Sequence, residues 1–288
     1  MTSLKRLIAC LALLFLLCGC APVQEPARVA ATTAPVYEFT ERLCLGTDIT
    51  VTRLITENLS CVHDYSLSVS QVKAVEGAQL IVLSGAGLED FMENLLSGKV
   101  AADSSQNIHL LGCEHDHHHD HDHEDTDPHI WLSPENAMVM ARNICNSLCA
   151  QYPQYQNIFE TNLQQLLLDL QALQDYGKQQ LEHLNTRELI TFHDGFAYFA
   201  EAFNLTILKA VEEESGSEAS AGELKELCGL VWEHNLPAIF TEVSGSTSAA
   251  EILFRETGVP IFILDMAMSG SYFEAMYHNI DTVKEALG

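Results

Sequence analysis

Positive charge is scarce in this chain. It has 14 Lys and Arg against 40 Asp and Glu, a formal net charge of −26 over 288 residues. Such a surface does not seek nucleic acid or anionic lipid, since both are held by cationic side chains. No Cys-x-x-Cys pair occurs, so a structural zinc knuckle is unsupported. His-Glu-x-x-His is absent too, and with it the usual mark of a zinc hydrolase. Beyond the N-terminus no segment is apolar for long enough to span a bilayer, and Leu7–Leu17 is itself too short.

That first apolar run follows Lys5 and Arg6 and ends in Leu17-Cys18-Gly19-Cys20. The order reads as a lipoprotein signal peptide over residues 1–19, with Cys20 the lipidated residue. Cys18 is a poor acceptor because the bulky Leu17 precedes it, and an ordinary cleaved secretion signal is the alternative. Several acyl chains on Cys20 would hold the protein to the membrane, on its extracytoplasmic face or in a periplasm. Removing residues 1–19 takes away Lys5 and Arg6 and no acid, so the net charge moves from −26 to −28. Cys44, Cys61, Cys113, Cys145, Cys149 and Cys228 then remain beside Cys20, an even set that allows disulfides outside the cell. Cys145 and Cys149 share one helix face, a poor geometry for pairing with each other and a good one for core packing.

Residues 20–27 read as a tether. Strand-like and helix-like segments then alternate, the pattern of a parallel α/β sheet. Strands are expected at 28–33, 49–54, 79–83 and 108–111, and helices at 37–44, 69–77, 88–96 and 134–150. Ser133 as N-cap and Pro134 at the first helical position start the last of these. Leu163, Leu166, Leu167, Leu170, Leu173 and Tyr176 then repeat at threes and fours, so a long amphipathic helix joins two lobes as a rigid spacer. The alternation resumes with strands at 189–192, 206–209, 238–241 and 260–264, and helices at 195–203, 222–235, 248–258 and 272–287. The expected architecture is two parallel-sheet α/β lobes, residues 28–150 and 187–288, joined by a single long rigid helix within 151–186.

Residues 114–125 alternate histidine and carboxylate without one apolar side chain. This stretch is expected to be a disordered loop, because nothing in it can bury a core. His115, His117, His118, His119, His121 and His123 make it an accessory catcher of divalent transition metals. Three other histidines lie beside expected strand ends or turns: His63, His129 just before the helix at Pro134, and His193 just after the strand at 189–192. Asp265 follows the strand at 260–264. Ligands of open α/β sheets sit beyond the carboxyl ends of strands, so His63 and His129 of one lobe face His193 and Asp265 of the other across a cleft. Three imidazoles and one carboxylate suit four-coordinate Zn2+, whereas manganese prefers more oxygen. Asp64 and Asp194, each directly after a histidine, are candidates to hydrogen-bond the ligands from behind.

Several motifs carry a resemblance. Val29–Tyr37 resembles a first strand and turn, and His63-Asp-Tyr65 a His-x-Tyr motif in which Asn58–Val62 replaces a Pro-rich lead-in. Asp127-Pro-His-Ile-Trp-Leu-Ser-Pro134 is close to a Pro-His-x-Trp-Leu-x-Pro signature. Phe192-His-Asp-Gly-Phe-Ala-Tyr198, Phe240-Thr-Glu242 and Thr257-Gly-Val-Pro260 also fit. Across the mature chain these are similar to the metal-specific solute-binding lipoproteins of ABC importers, of the zinc-uptake type often called ZnuA or AdcA. The resemblance implies two α/β lobes, a metal buried between them, His63, His129 and His193 as ligands, and Asp265 as a fourth shared with or replaced by water or another acid. It implies an ABC permease as partner. His at position 193, where manganese-type members hold Glu, favours zinc, and so does the His-rich loop.

Zinc capture for a permease is therefore the expected function, and no enzymatic activity is expected. The alternatives are a manganese-binding member of the same group, a passive surface zinc buffer or adhesin, and a secreted zinc hydrolase with Glu242 as base.

Overall fold

The computed structural model describes residues 28–57, 65–112, 126–211, 219–243 and 247–288. The expected signal peptide, Cys20, His63, Asp64, Cys61, Cys113 and the histidine tract lie outside these residues. So do residues 212–218 and 244–246.

The first lobe runs β1 (Arg28–Ala31), α1 (Ala34–Leu43), β2 (Thr50–Arg53), α2 (Val69–Gly77), β3 (Leu80–Leu83), α3 (Glu93–Leu96), β4 (Ala101–Asp103) and α4 (Pro134–Gln151). A long helix, α5 (Gln156–Gln180), follows. The second lobe runs β5 (Glu188–Thr191), α6 (Ala197–Ala202), β6 (Thr206–Ala210), α7 (Ala221–Glu233), β7 (Ile239–Glu242), α8 (Ser248–Thr257), β8 (Ile261–Leu264) and α9 (Tyr272–Leu287). Each lobe holds a four-stranded sheet, ordered β2-β1-β3-β4 in the first and β6-β5-β7-β8 in the second. Every strand pair is parallel. Two parallel-sheet α/β lobes are thus present, as the alternation of segments implies.

Both sheets reverse their order at one place, between β1 and β3 and between β5 and β7. Such a switch point opens a crevice at the carboxyl ends of its two strands. His193 lies two residues past the end of β5, and Glu242 is the last residue of β7.

One expected strand is displaced. Residues 108–111 form no strand, and the edge strand is β4, pairing with β3 through Ile81–Ala101 to Leu83–Asp103. Tertiary hydrogen bonds occupy the backbone there instead. The Leu111 N–H donates to the Tyr198 hydroxyl at 2.9 Å, and its carbonyl accepts the Asp127 N–H at 2.9 Å.

Helix α5 packs against α1, α4 and α9. It buries Phe159, Leu166, Leu170 and Leu173, each contributing about 1.5–3 kcal/mol. Gly177 in this helix is a packing requirement: a Cβ there would stand 2.2 Å from the Phe203 ring. One core cluster continues from Val29 and Val82 of the first lobe through α5 to Phe240 and Leu264 of the second. The spacer is therefore a shared wall of the core. Cys44, Cys145, Cys149 and Cys228 are all free thiols. Cys145 and Cys149 face each other one turn apart, with sulfurs 4.0 Å apart. Burial pushes the Cys44 and Cys145 thiols up to about 12, so near neutral pH they are uncharged packing groups.

Candidate metal centre

His129 is delivered by a short irregular segment. Pro128 keeps Asp127 out of helix, and Ile130–Leu132 form a single 3-10 turn before Ser133 caps α4. Asp127 Oδ1 accepts both the His129 backbone N–H and its ring Nδ1, each at 2.8 Å. Both side chains are almost wholly buried. An Nδ1–H donated to a carboxylate leaves Nε2 as the lone-pair nitrogen, the form a metal ligand needs.

The second lobe holds this segment in place. Trp131 is fully buried and donates its indole N–H to the Met266 carbonyl at 2.8 Å, while the Tyr272 hydroxyl donates to the Trp131 carbonyl at 2.9 Å. The Tyr198 hydroxyl donates to the Asp127 carbonyl at 3.0 Å and accepts from Leu111. Gly112 and Thr126 form an antiparallel bridge just outside it. The described residues on either side of 113–125 are therefore paired with each other.

His193 arrives from the β5 end with its Nε2 atom buried. Its ring centroid is 5.3 Å from that of His129, with the planes at 84°. Its Nδ1 lies 3.8 Å from Oε1 of the buried Glu242. The two lobes thus repeat one arrangement: an imidazole with a carboxylate behind Nδ1. Gly195 lets the rings approach. A Cβ there would meet Met266 Cε at 2.5 Å, His193 Cδ2 at 2.8 Å and His129 Nδ1 at 3.0 Å.

Asp265 is half-buried after β8. Its Oδ1 accepts the Ala267 N–H at 2.8 Å, and its backbone is held by Asn279 from α9 at 2.7 Å on both sides. This carboxylate caps a turn around Ala267, whose φ is 57°. Among the described residues no three His, Cys, Asp or Glu side chains form a group able to hold an ion. His129 and His193 are brought together, and His63 lies outside the described residues. Two partners are not among the sequence candidates for orienting a ligand: Asp127 behind His129, and Glu242 behind His193. The Asp-x-His spacing was the available signal for the first; Glu242 reaches His193 only through strand pairing.

Known proteins share this architecture. The zinc-binding lipoprotein AdcA of Streptococcus pneumoniae serotype 4 is 28% identical over 307 residues, covering 99% of this chain. The chain spans 61% of that protein's length. The manganese-binding lipoprotein MntA of Halalkalibacterium halodurans is 26% identical over 238 residues, 78% of this chain and 77% of MntA. A crystal structure of ZnuA superposes with a TM-score of 0.82 at 29% identity, covering 92% of this chain and all of that one. Zn(II)-bound AdcA from Streptococcus pneumoniae superposes with a TM-score of 0.77 at 26% identity, over 91% of this chain and 57% of that one. The model of the family described as the periplasmic component A of the zinc-uptake complex, ZnuA, matches residues 29–286, and the chain belongs to that family.

Proposed function

We propose that this protein captures Zn2+ outside the cytoplasm and passes it to an ABC permease, with the mature chain anchored through Cys20. One observation carries the reading. Imidazoles from two lobes stand 5.3 Å apart, each backed by a buried carboxylate at Nδ1. That is how neutral histidines are oriented toward a metal. His129 and His193 are two ligands, His63 is the third, and Asp265 is the fourth. A carboxylate with one oxygen in a turn still has a second for the ion. The zinc-binding names of AdcA and of its Zn(II)-bound structure support zinc as cargo. The family is one of uptake components, and no helix among the described residues is long and apolar enough to cross a membrane.

The tract at 114–125 is an accessory to this site. Gly112 and Thr126 on either side of it already pair, so its removal calls for no change in the described packing. Zinc at about 100 times Kd raises folding stability by roughly 2.7 kcal/mol. A tract-deleted protein keeps that thermal shift, and it loses the shift with His129→Ala. Loss of the shift on tract deletion alone would establish the passive buffer instead. Affinity falls on acidification, because ligating imidazoles must be neutral. The likeness to MntA favours manganese as the second reading. A competition titration of the tract-deleted protein with both ions decides between them.

A further inference from the structure

We propose that Arg53 is a positioning residue for the turn that carries Asp265. The inference rests on the reading of Asp265 as the fourth ligand. Arg53 is the last residue of β2, at the carboxyl end of the first sheet. Its Nε donates to the Ile55 carbonyl at 2.5 Å. Ile55 is itself tied to the chain after β1, its N–H donating to the Thr32 carbonyl at 2.9 Å. A second nitrogen of the same planar group donates to the Met268 carbonyl of the other lobe, also at 2.5 Å. A rigid fork anchored by one prong aims its other prong in a fixed direction.

Met268 closes the turn that begins at Asp265. Within it, Asp265 Oδ1 accepts the Ala267 N–H at 2.8 Å. Ala267 has φ 57°, a left-handed conformation that its Cβ disfavours, so the turn needs to be held from outside. Three first-lobe side chains supply the hold. Trp131 donates to the Met266 carbonyl, Arg53 to the Met268 carbonyl, and Glu38 of α1 accepts the Tyr272 N–H at 2.6 Å. Trp131 is core and Glu38 serves the start of α9, whereas the bond from Arg53 closes on the turn itself. This turn lies against both histidines: a Cβ on Gly195 would meet Met266 Cε together with the His193 and His129 rings. Release of Met268 lets Ala267 leave the left-handed region, and Asp265 then loses the N–H that directs its carboxylate. If this leaves the binding-competent turn about a tenth populated, the apparent affinity falls about tenfold. Charge alone predicts the opposite sign, because deleting a positive group near a bound cation tightens binding.

The test is a double-mutant cycle read by Zn2+ competition against a strong chelator, using the intact chain. Arg53→Met keeps the apolar stem and removes the fork. It weakens zinc binding about tenfold in the parent and adds nothing in an Asp265→Ala background. Unchanged or tighter binding in the parent, or equal losses in both backgrounds, would reduce Arg53 to a surface charge or a fold contact and overturn the proposal. Should Arg53→Met not fold, Arg53→Lys in the same cycle keeps the charge and loses the planar fork, with the same outcomes. If Asp265→Ala alone leaves zinc affinity unchanged, the assignment of Asp265 as a ligand fails and the positioning role falls with it. A loss with Asp265→Ala but none with Arg53→Met refutes only the positioning role.

Discussion

The two lobes present their histidines by different means. His193 follows a buried central strand at a switch point, so sheet pairing alone brings it beside Glu242. His129 sits in a segment without strand partners, and its position depends on Trp131, Tyr272 and Tyr198 reaching between lobes. The partner distances differ as well, 2.8 Å for Asp127 and 3.8 Å for Glu242. One histidine is thus oriented by its own tight hydrogen bond within a borrowed scaffold. The other has a native scaffold and a looser partner.

The comparison breaks most sharply at the proposed ligands. His129→Ala and His193→Ala should each weaken zinc binding by more than the roughly 100-fold upper range seen for outer hydrogen-bond partners, measured by chelator competition. Gly195→Ala comes next. Its new methyl intrudes on both imidazoles at once, so it should lower affinity through either lobe while leaving the far-ultraviolet spectrum unchanged. An unaltered affinity would mean that the rings do not need this approach.

The partners then separate the lobes. Asp127→Ala should cost about 10–100-fold in zinc affinity, and Glu242→Ala should cost less because the latter contact is longer. Equal losses would erase the asymmetry. Tyr272→Phe leaves the buried Trp131 carbonyl without its donor and should reduce stability by about 1–3 kcal/mol in urea unfolding.

The smallest effect concerns the first lobe's own switch point. Glu89 is buried there, accepting from the Thr32 hydroxyl at 2.6 Å and from the Ser84 and Gly85 N–H groups at 2.7 and 3.0 Å. Burial outweighs these donors and pushes its carboxyl up to about 7 from an ordinary 4.5. Between those values the folded protein binds more protons than the unfolded chain, so stability falls as pH rises. The metal-free protein should therefore show a steeper decline from pH 4.5 to 7 than Glu89→Gln. Identical slopes in denaturant midpoints would deny the linkage.

Much of the fold is legible along the chain because α/β repeats write their burial into local pattern. The Leu163-to-Tyr176 periodicity marks α5, and Ser133-Pro134 marks the start of α4. Residues 108–111 mislead for a physical reason. The Leu111 backbone meets a neighbouring hydroxyl and a returning backbone rather than a strand edge. Histidine candidates are legible from their places at strand ends or turns. Their partners are less so, since Asp194 lies next to His193 in sequence while Glu242 reaches it only through the pairing of β5 with β7.

The sequence by itself determined the acidic surface, the alternation that makes two parallel-sheet lobes, and the candidate ligands His63, His129, His193 and Asp265. These are local properties: charge, periodicity and residue type at a turn. Only the tertiary structure decided that His129 and His193 meet, that Glu242 stands behind His193, and that Gly195 has to lack a side chain between the two rings. Those facts depend on groups far apart in the chain approaching within hydrogen-bonding or van der Waals distance, and no local pattern encodes such a distance.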